Sequence, residues 1–207
     1  MDGIAWGVRH IAASRPTPHK WRTENAMWIW ILLIVVAVAL IVMYNSLVRL
    51  RVRVDSAWAD IDVQLKRRWD LIPNLVETVK GYASHERDTL EAVIEARNRA
   101  MSAQGPSERA EAEGMLTGAL KSLFALSEAY PQLRAVESFT QLQGTLNEIE
   151  TAVQNARRYY NAVVRDYNTK IEVFPTNLLA RPFGFTRREF FSLENEGERD
   201  APAVSFS

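Results

Sequence analysis

Phe139–Phe174 reads FTQLQGTLNEIETAVQNARRYYNAVVRDYNTKIEVF, and its apolar residues recur in steps of three and four. Phe139, Leu142, Leu146, Ile149, Val153, Ala156, Tyr160, Val163, Tyr167 and Phe174 therefore fall on one face of a helix. A seam this long predicts a helix packed along its length against other helices, and Pro175 predicts its end. Working back, Leu116, Ala119, Leu123, Leu126 and Tyr130 mark a shorter helix that stops at Pro131. Gln104-Gly105-Pro106-Ser107 is a stop and restart before it. From Val54 another seam sets in. Trp58, Leu65, Ile72, Val79 and Val93 recur at multiples of seven, with Val54, Ile61, Leu75 and Tyr82 interleaved at the a/d offset. No strand pattern survives this context, so the fold class is all-α, an antiparallel bundle of long helices.

The N-terminal side of the bundle carries a different signal. Met27–Tyr44, MWIWILLIVVAVALIVMY, holds 18 residues without a charge. At 1.5 Å per residue such a helix covers about 27 Å, close to the thickness of a bilayer's hydrocarbon layer. Trp28, Trp30 and Tyr44 stand near its ends, where amphipathic rings prefer the headgroup layer. A cleaved signal peptide is the alternative, but the run is long for one and no small-residue cleavage site follows. Residues 27–44 are therefore predicted to be a single-pass anchor, with the bundle at 45–185.

Residues 1–26 read as a basic, disordered leader carrying Arg9, Arg15, Lys20 and Arg22. Met27 opens a span that would serve as a start by itself, so an untranslated leader is a hypothesis that intact mass tests. With the leader, basic residues lie on both sides of the span and the orientation is nearly balanced. Without it, Arg49, Arg51 and Arg53 dominate the flanks and place the bundle on the cytoplasmic side of the membrane. The three arginines either set topology or contact anionic headgroups, each worth about 1 kcal/mol near such a surface. Residues 186–207 are predicted to form a mostly disordered acidic tail.

Composition narrows the function classes. With 25 basic and 25 acidic residues the formal charge is zero, so no global field draws in nucleic acid. The chain has no cysteine, which removes thiolate chemistry, and only three histidines. Asp60 and Asp62 point to different sides of a helix, and His85-Glu86 lacks the second histidine of a helical zinc site. Ser84 beside His85 is adjacency without nucleophile–base geometry. The expectation is no enzyme, no cofactor and no small-molecule substrate.

Two features remain as candidate interaction sites. Pro73 frees the carbonyl of Trp69 and predicts a kink, which Asp70 or Asn74 would satisfy or a partner would occupy. Tyr160-Asn161 and Tyr167-Asn168 repeat a Tyr-Asn pair at seven residues. These pairs either specify the core by fixing register against a neighbour or form a partner-binding edge. Arg68 and Glu86 interrupt the seam as a buried pair, as partners of other helices or, most commonly, as rim residues. Lys66-Arg67-Arg68 reads as a solvated face.

These residues resemble the LemA family. Tyr44–Val48 and Asp60–Arg68 read like the family's opening. Asp70-Leu71-Ile72-Pro73-Asn74-Leu75-Val76-Glu77-Thr78-Val79-Lys80-Gly81-Tyr82 is its most specific motif. Arg158-Tyr159-Tyr160-Asn161, Tyr167-Asn168, Phe174-Pro175-Thr176-Asn177 and Gly184-Phe185 match its close. The resemblance covers about residues 27–185 and implies a membrane-anchored four-helix, up-and-down bundle without established enzymatic activity, cofactor or catalytic residues. The functional expectation is a non-enzymatic scaffold or self-associating module at the bacterial cytoplasmic (inner) membrane. Its partners would be membrane lipids through the anchor, and itself or another membrane protein. The alternative is a regulatory adaptor for a membrane protease or signalling protein. The last helix outruns the shorter one before it, and an uncovered seam there would be the self-association surface.

Overall fold

The computed structural model describes the backbone of residues 20–192 and the side chains of residues 27–192. All its regular elements are helices: α1 (Lys20–Lys80), α2 (Arg87–Ser102), α3 (Gly105–Ala129), α4 (Pro131–Arg134), α5 (Glu137–Glu172) and α6 (Asn177–Ala180). The chain divides between Met43 and Tyr44 into two compact units. In the first, the apolar stretch of α1 is bare, with large side chains from Met27 to Val42 exposed by 44 % to 66 %. It is long and apolar enough to cross a membrane. α1 begins at Lys20, so the leader is helical over residues 20–26 rather than disordered to Met27. Its remainder, like residues 193–207 of the tail, lies outside the described residues.

The second unit is a helical bundle built on the predicted seams. Val54, Ile61, Leu65, Ile72, Leu75 and Val79 of α1, Leu116, Leu120 and Leu123 of α3, and Phe139, Leu146, Ile149, Val153, Val163 and Tyr167 of α5 are all buried. The order of cross-helix pairs gives each helix its sense. Asp62 meets Arg109 and Arg68 meets Glu113, so α1 and α3 run the same way. Trp58 meets Tyr160 and Arg68 meets Glu150, so α5 runs opposite to α1. Short turns, at Gly81–Glu86 and Ala103–Gln104, reverse α2 against both neighbours. Gly105, at φ 78°, adopts the left-handed turn that a side chain would strain, and Pro106 follows at the start of α3.

The predicted seam from Val54 to Val93 is not one helix. A turn at Gly81–Glu86 ends α1, and Val93 belongs to α2. Tyr82, placed on the seam by its spacing, is exposed in that turn. The phase misleads because Val79 and Val93 stand two heptads apart across a chain reversal. Pro73, in contrast, lies within α1, which continues past it to Lys80 without a break.

Two further expectations are corrected. Arg68 is buried, not part of a solvated face or rim. Residues 186–192 are not disordered: they lie extended against α5 and α1, with Phe191 buried. They also change the reading of the long last helix. α5 has 36 residues against 25 in α3, but its C-terminal half is not bare. Val163, Val164, Tyr167 and Ile171 are buried, so this seam belongs to the core and is not a self-association surface.

Candidate functional site

The two Tyr-Asn pairs of α5 hold the extended segment 186–192. Asn168 Nδ2 donates to the Arg188 carbonyl at 2.9 Å, and the Arg188 amide donates back to Asn168 Oδ1 at 2.9 Å. Asn161 repeats the clamp on Phe191, at 3.0 Å and 2.8 Å. Each primary amide thus supplies the donor and acceptor of one strand-like pairing. The spacing follows from geometry. Seven residues of helix rise about 10.5 Å, and three extended residues span about 10 Å, so asparagines one heptad apart meet strap residues three apart. Between them the Tyr160 hydroxyl donates to the Glu189 carbonyl at 2.8 Å.

Aromatic packing secures the strap from the other side. Phe191 sits 6.0 Å from the ring of Trp58 on α1, and Trp58 sits 5.4 Å from Tyr160. The Arg157 guanidinium lies 4.8 Å above the Phe191 ring. Arg188 pairs with Asp55 at 2.9 Å, so the strap bridges α1 and α5. Burial pushes the Tyr160 hydroxyl up to about 12, and burial raises the Tyr167 hydroxyl as well. Asn161 and Asn168 thus bond an extended segment of their own chain rather than a neighbouring helix.

At Pro73 the carbonyl of Trp69, which a helical N–H would otherwise occupy, accepts a hydrogen bond from Arg97 Nε of α2 at 2.8 Å. Asp70, Pro73 and Asn74 are exposed, and neither Asp70 nor Asn74 closes this turn among the described residues. The proline thus creates an acceptor that ties α1 to α2. Beyond it, Val76, Leu90 and Ile94 line an open groove of about 430 Å³ between the end of α1 and the start of α2.

Sequence reasoning left Arg68 as a partner of other helices only as a less common alternative, and the structure builds a polar layer on it. Arg68 of α1 donates to Glu113 Oε2 of α3 at 2.9 Å and to Thr117 at 3.0 Å. Glu150 Oε2 of α5 lies 3.0 Å from Arg68 Nη2 as an ion pair without hydrogen-bond alignment. Trp69 Nε1 donates to Glu113 Oε1 at 2.7 Å. Arg109 bonds Asp62 and the Ala103 carbonyl, with its guanidinium 5.6 Å from the rings of both Trp58 and Trp69. Burial raises the Glu113 carboxyl, opposed by Arg68, and burial lowers the Arg157 guanidinium. The available signal was Arg68 and Glu113 standing on the apolar seams of two different helices. Glu86, the other seam interruption, accepts from the Tyr130 hydroxyl at 3.0 Å.

Arg49, Arg51 and Arg53 are exposed on α1 just past Tyr44, with no ion pair among the described residues. Among the described residues no three histidine, aspartate or glutamate side chains gather into a metal-holding group. The arrangement is that of a polar-layered bundle closed by a strap, with an apolar helical stretch preceding it.

Known proteins resemble this chain in sequence. The family model described as the LemA family matches residues 57–206. Magnetosome protein MamQ 2 of Paramagnetospirillum magneticum is 27 % identical over 191 residues, covering 80 % of this chain and 70 % of that protein. Magnetosome protein MamQ of Magnetospirillum gryphiswaldense is 24 % identical over the same length and coverage. Protein LemA of Metamycoplasma hominis is 26 % identical over 141 residues, covering 66 % of this chain and 63 % of its own. Together with the apolar helical stretch, these likenesses describe a membrane-associated helical protein, and the chain belongs to the LemA family.

Proposed function

We propose that this chain is a non-enzymatic interaction module: a single-pass anchor tethering a helical scaffold at the bacterial cytoplasmic membrane, with the bundle on the cytoplasmic side. The observation that carries the reading is the fully bare apolar stretch from Met27 to Val42, followed at once by Arg49, Arg51 and Arg53. A bare helix of this length needs a bilayer, and lysine and arginine beside a span favour the cytoplasm. The magnetosome relatives support a role in organising a membrane-associated assembly. Because the α5 seam is internal, scaffold contacts use other surfaces of the bundle.

The second reading, an adaptor for one client such as a membrane protease or signalling protein, is favoured by that same closed seam and by the groove beyond Pro73. Exposed Tyr82 and Ile94 stand at that end of the bundle. The test is the mass of the native complex extracted in mild detergent, with every co-purifying chain identified. A homogeneous multiple of this chain supports the scaffold, a stoichiometric second protein supports the adaptor, and a bare monomer counts against both.

A further inference from the structure

The chain after α5 makes a tight corner. The Thr176 hydroxyl donates to the Val173 carbonyl, the Ala180 amide to the Thr176 carbonyl, and the Phe185 amide to the Ala180 carbonyl. Gly184, at φ 70°, closes the turn in the left-handed region. The corner is well bonded, yet it turns its apolar residues outward: Phe174 is 78 % exposed, Leu178 65 % and Phe183 56 %. Its position is set by Tyr44, whose ring packs edge-on against Phe183 at 5.1 Å and Phe185 at 5.9 Å. Tyr44 is one peptide bond from Met43 and closes the uncharged run Met27–Tyr44. Covalent continuity therefore keeps Phe183 within a side chain's reach of the point where the apolar run ends.

The charge fits the same surface. Residues 173–188 carry Arg181, Arg187 and Arg188, of which Arg187 pairs with Glu172 at 3.2 Å and Arg188 with Asp55 at 2.9 Å, and residues 44–54 carry Arg49, Arg51 and Arg53 without an acid. Leu178, Pro182 and Phe185 line an open groove of about 630 Å³ shared with Arg181 and with Arg187, whose exposed ion pair to Glu172 leaves its other nitrogens to the surface. Outward aromatic and aliphatic side chains ringed by arginines are the composition that inserts at a headgroup boundary.

We propose that this corner is a second membrane contact, in which Phe174, Leu178 and Phe183 enter the interface of an anionic bilayer and Arg181 and Arg187 hold its headgroups. The inference rests on the membrane-anchored reading and adds a docked surface to it.

The absence of cysteine makes the test direct. Single-cysteine variants L178C, Y82C and V35C of the full chain are labelled with an environment-sensitive fluorophore. They are reconstituted into vesicles of phosphatidylcholine with phosphatidylglycerol, with or without lipids carrying a spin-label quencher. The expected result is several-fold stronger quenching by shallow lipid quenchers at position 178 than at 82, at the far end of α1. Quenching at 178 should fall in pure phosphatidylcholine and in R181Q/R187Q. Equal, weak quenching at 178 and 82 with strong quenching at 35 would overturn the second contact and leave the anchor. Protection at 178 that disappears as protein is diluted in lipid would assign the surface to a second copy and overturn the lipid contact. No quenching at 35 would remove the anchor and this inference together.

Discussion

An asparagine side chain offers the same donor and acceptor as a peptide group, and Asn161 and Asn168 use both on the strap backbone. Replacing Asn168 by alanine removes two bonds and strands the polar groups of Arg188. The expected cost is about 1–3 kcal/mol, with faster amide exchange at Arg188 as the measurement. N168D keeps the acceptor but sets a buried carboxylate oxygen against the Arg188 carbonyl, so near neutral pH it should cost at least as much as N168A. Tyr160 adds a pH dependence. Its folded pKa of about 12 lies above the ordinary value of 10. The folded state therefore keeps the proton longer, and stability fully present below pH 10 is lost as pH rises towards 12. Alkaline denaturation followed by circular dichroism should show this limb in the wild type and a smaller one in Y160F, where Tyr167 still contributes. The Tyr-Asn repeat was legible as a pattern. Its partner was not, because the acidic tail obscured Phe190 and Phe191 just before it. Low apolar content begins after the strap, not at residue 186.

At the scale of helices, the seams were legible because burial imposes the helical period, and the ends were legible where proline or Gly-Pro marks them. The α1–α2 turn was not. Gly81 is the only strong breaker there, and the heptad phase happens to run across it. The polar layer escaped for another reason: a charge on a seam looks the same in sequence whether it snorkels to the rim or finds buried partners on other helices. R68M should cost about 3–5 kcal/mol, because Glu113 would remain buried without its cation. R68M/E113L should recover most of that loss in urea denaturation. Burial raises Glu113 above its usual 4.5, so the folded state binds this proton more readily than the unfolded chain. Its contribution to stability therefore declines as pH rises past 4.5, and E113Q should flatten that slope. At Pro73 the Arg97 bond replaces the missing helical one. R97A should destabilise by about 1–3 kcal/mol by orphaning the Trp69 carbonyl, whereas in R97A/P73A a restored N–H should return part of the loss.

For the molecule as a whole, the sense of α1, α3 and α5 is carried by pairs far apart in sequence, and the strap completes the covering of the α5 seam. A charge at Val164, which is fully buried, should therefore unfold the bundle rather than dissociate an intact oligomer. Circular dichroism and size-exclusion chromatography of V164D together distinguish the two outcomes. The strap also sets an order of events. Arg188 reaches back to Asp55 across 133 residues, and Phe191 covers Trp58 at the same end. At typical rates of synthesis that distance takes on the order of 10 s to emerge from a ribosome. The helix made first must wait, with Trp58 uncovered, until residues 188–191 arrive to close over it.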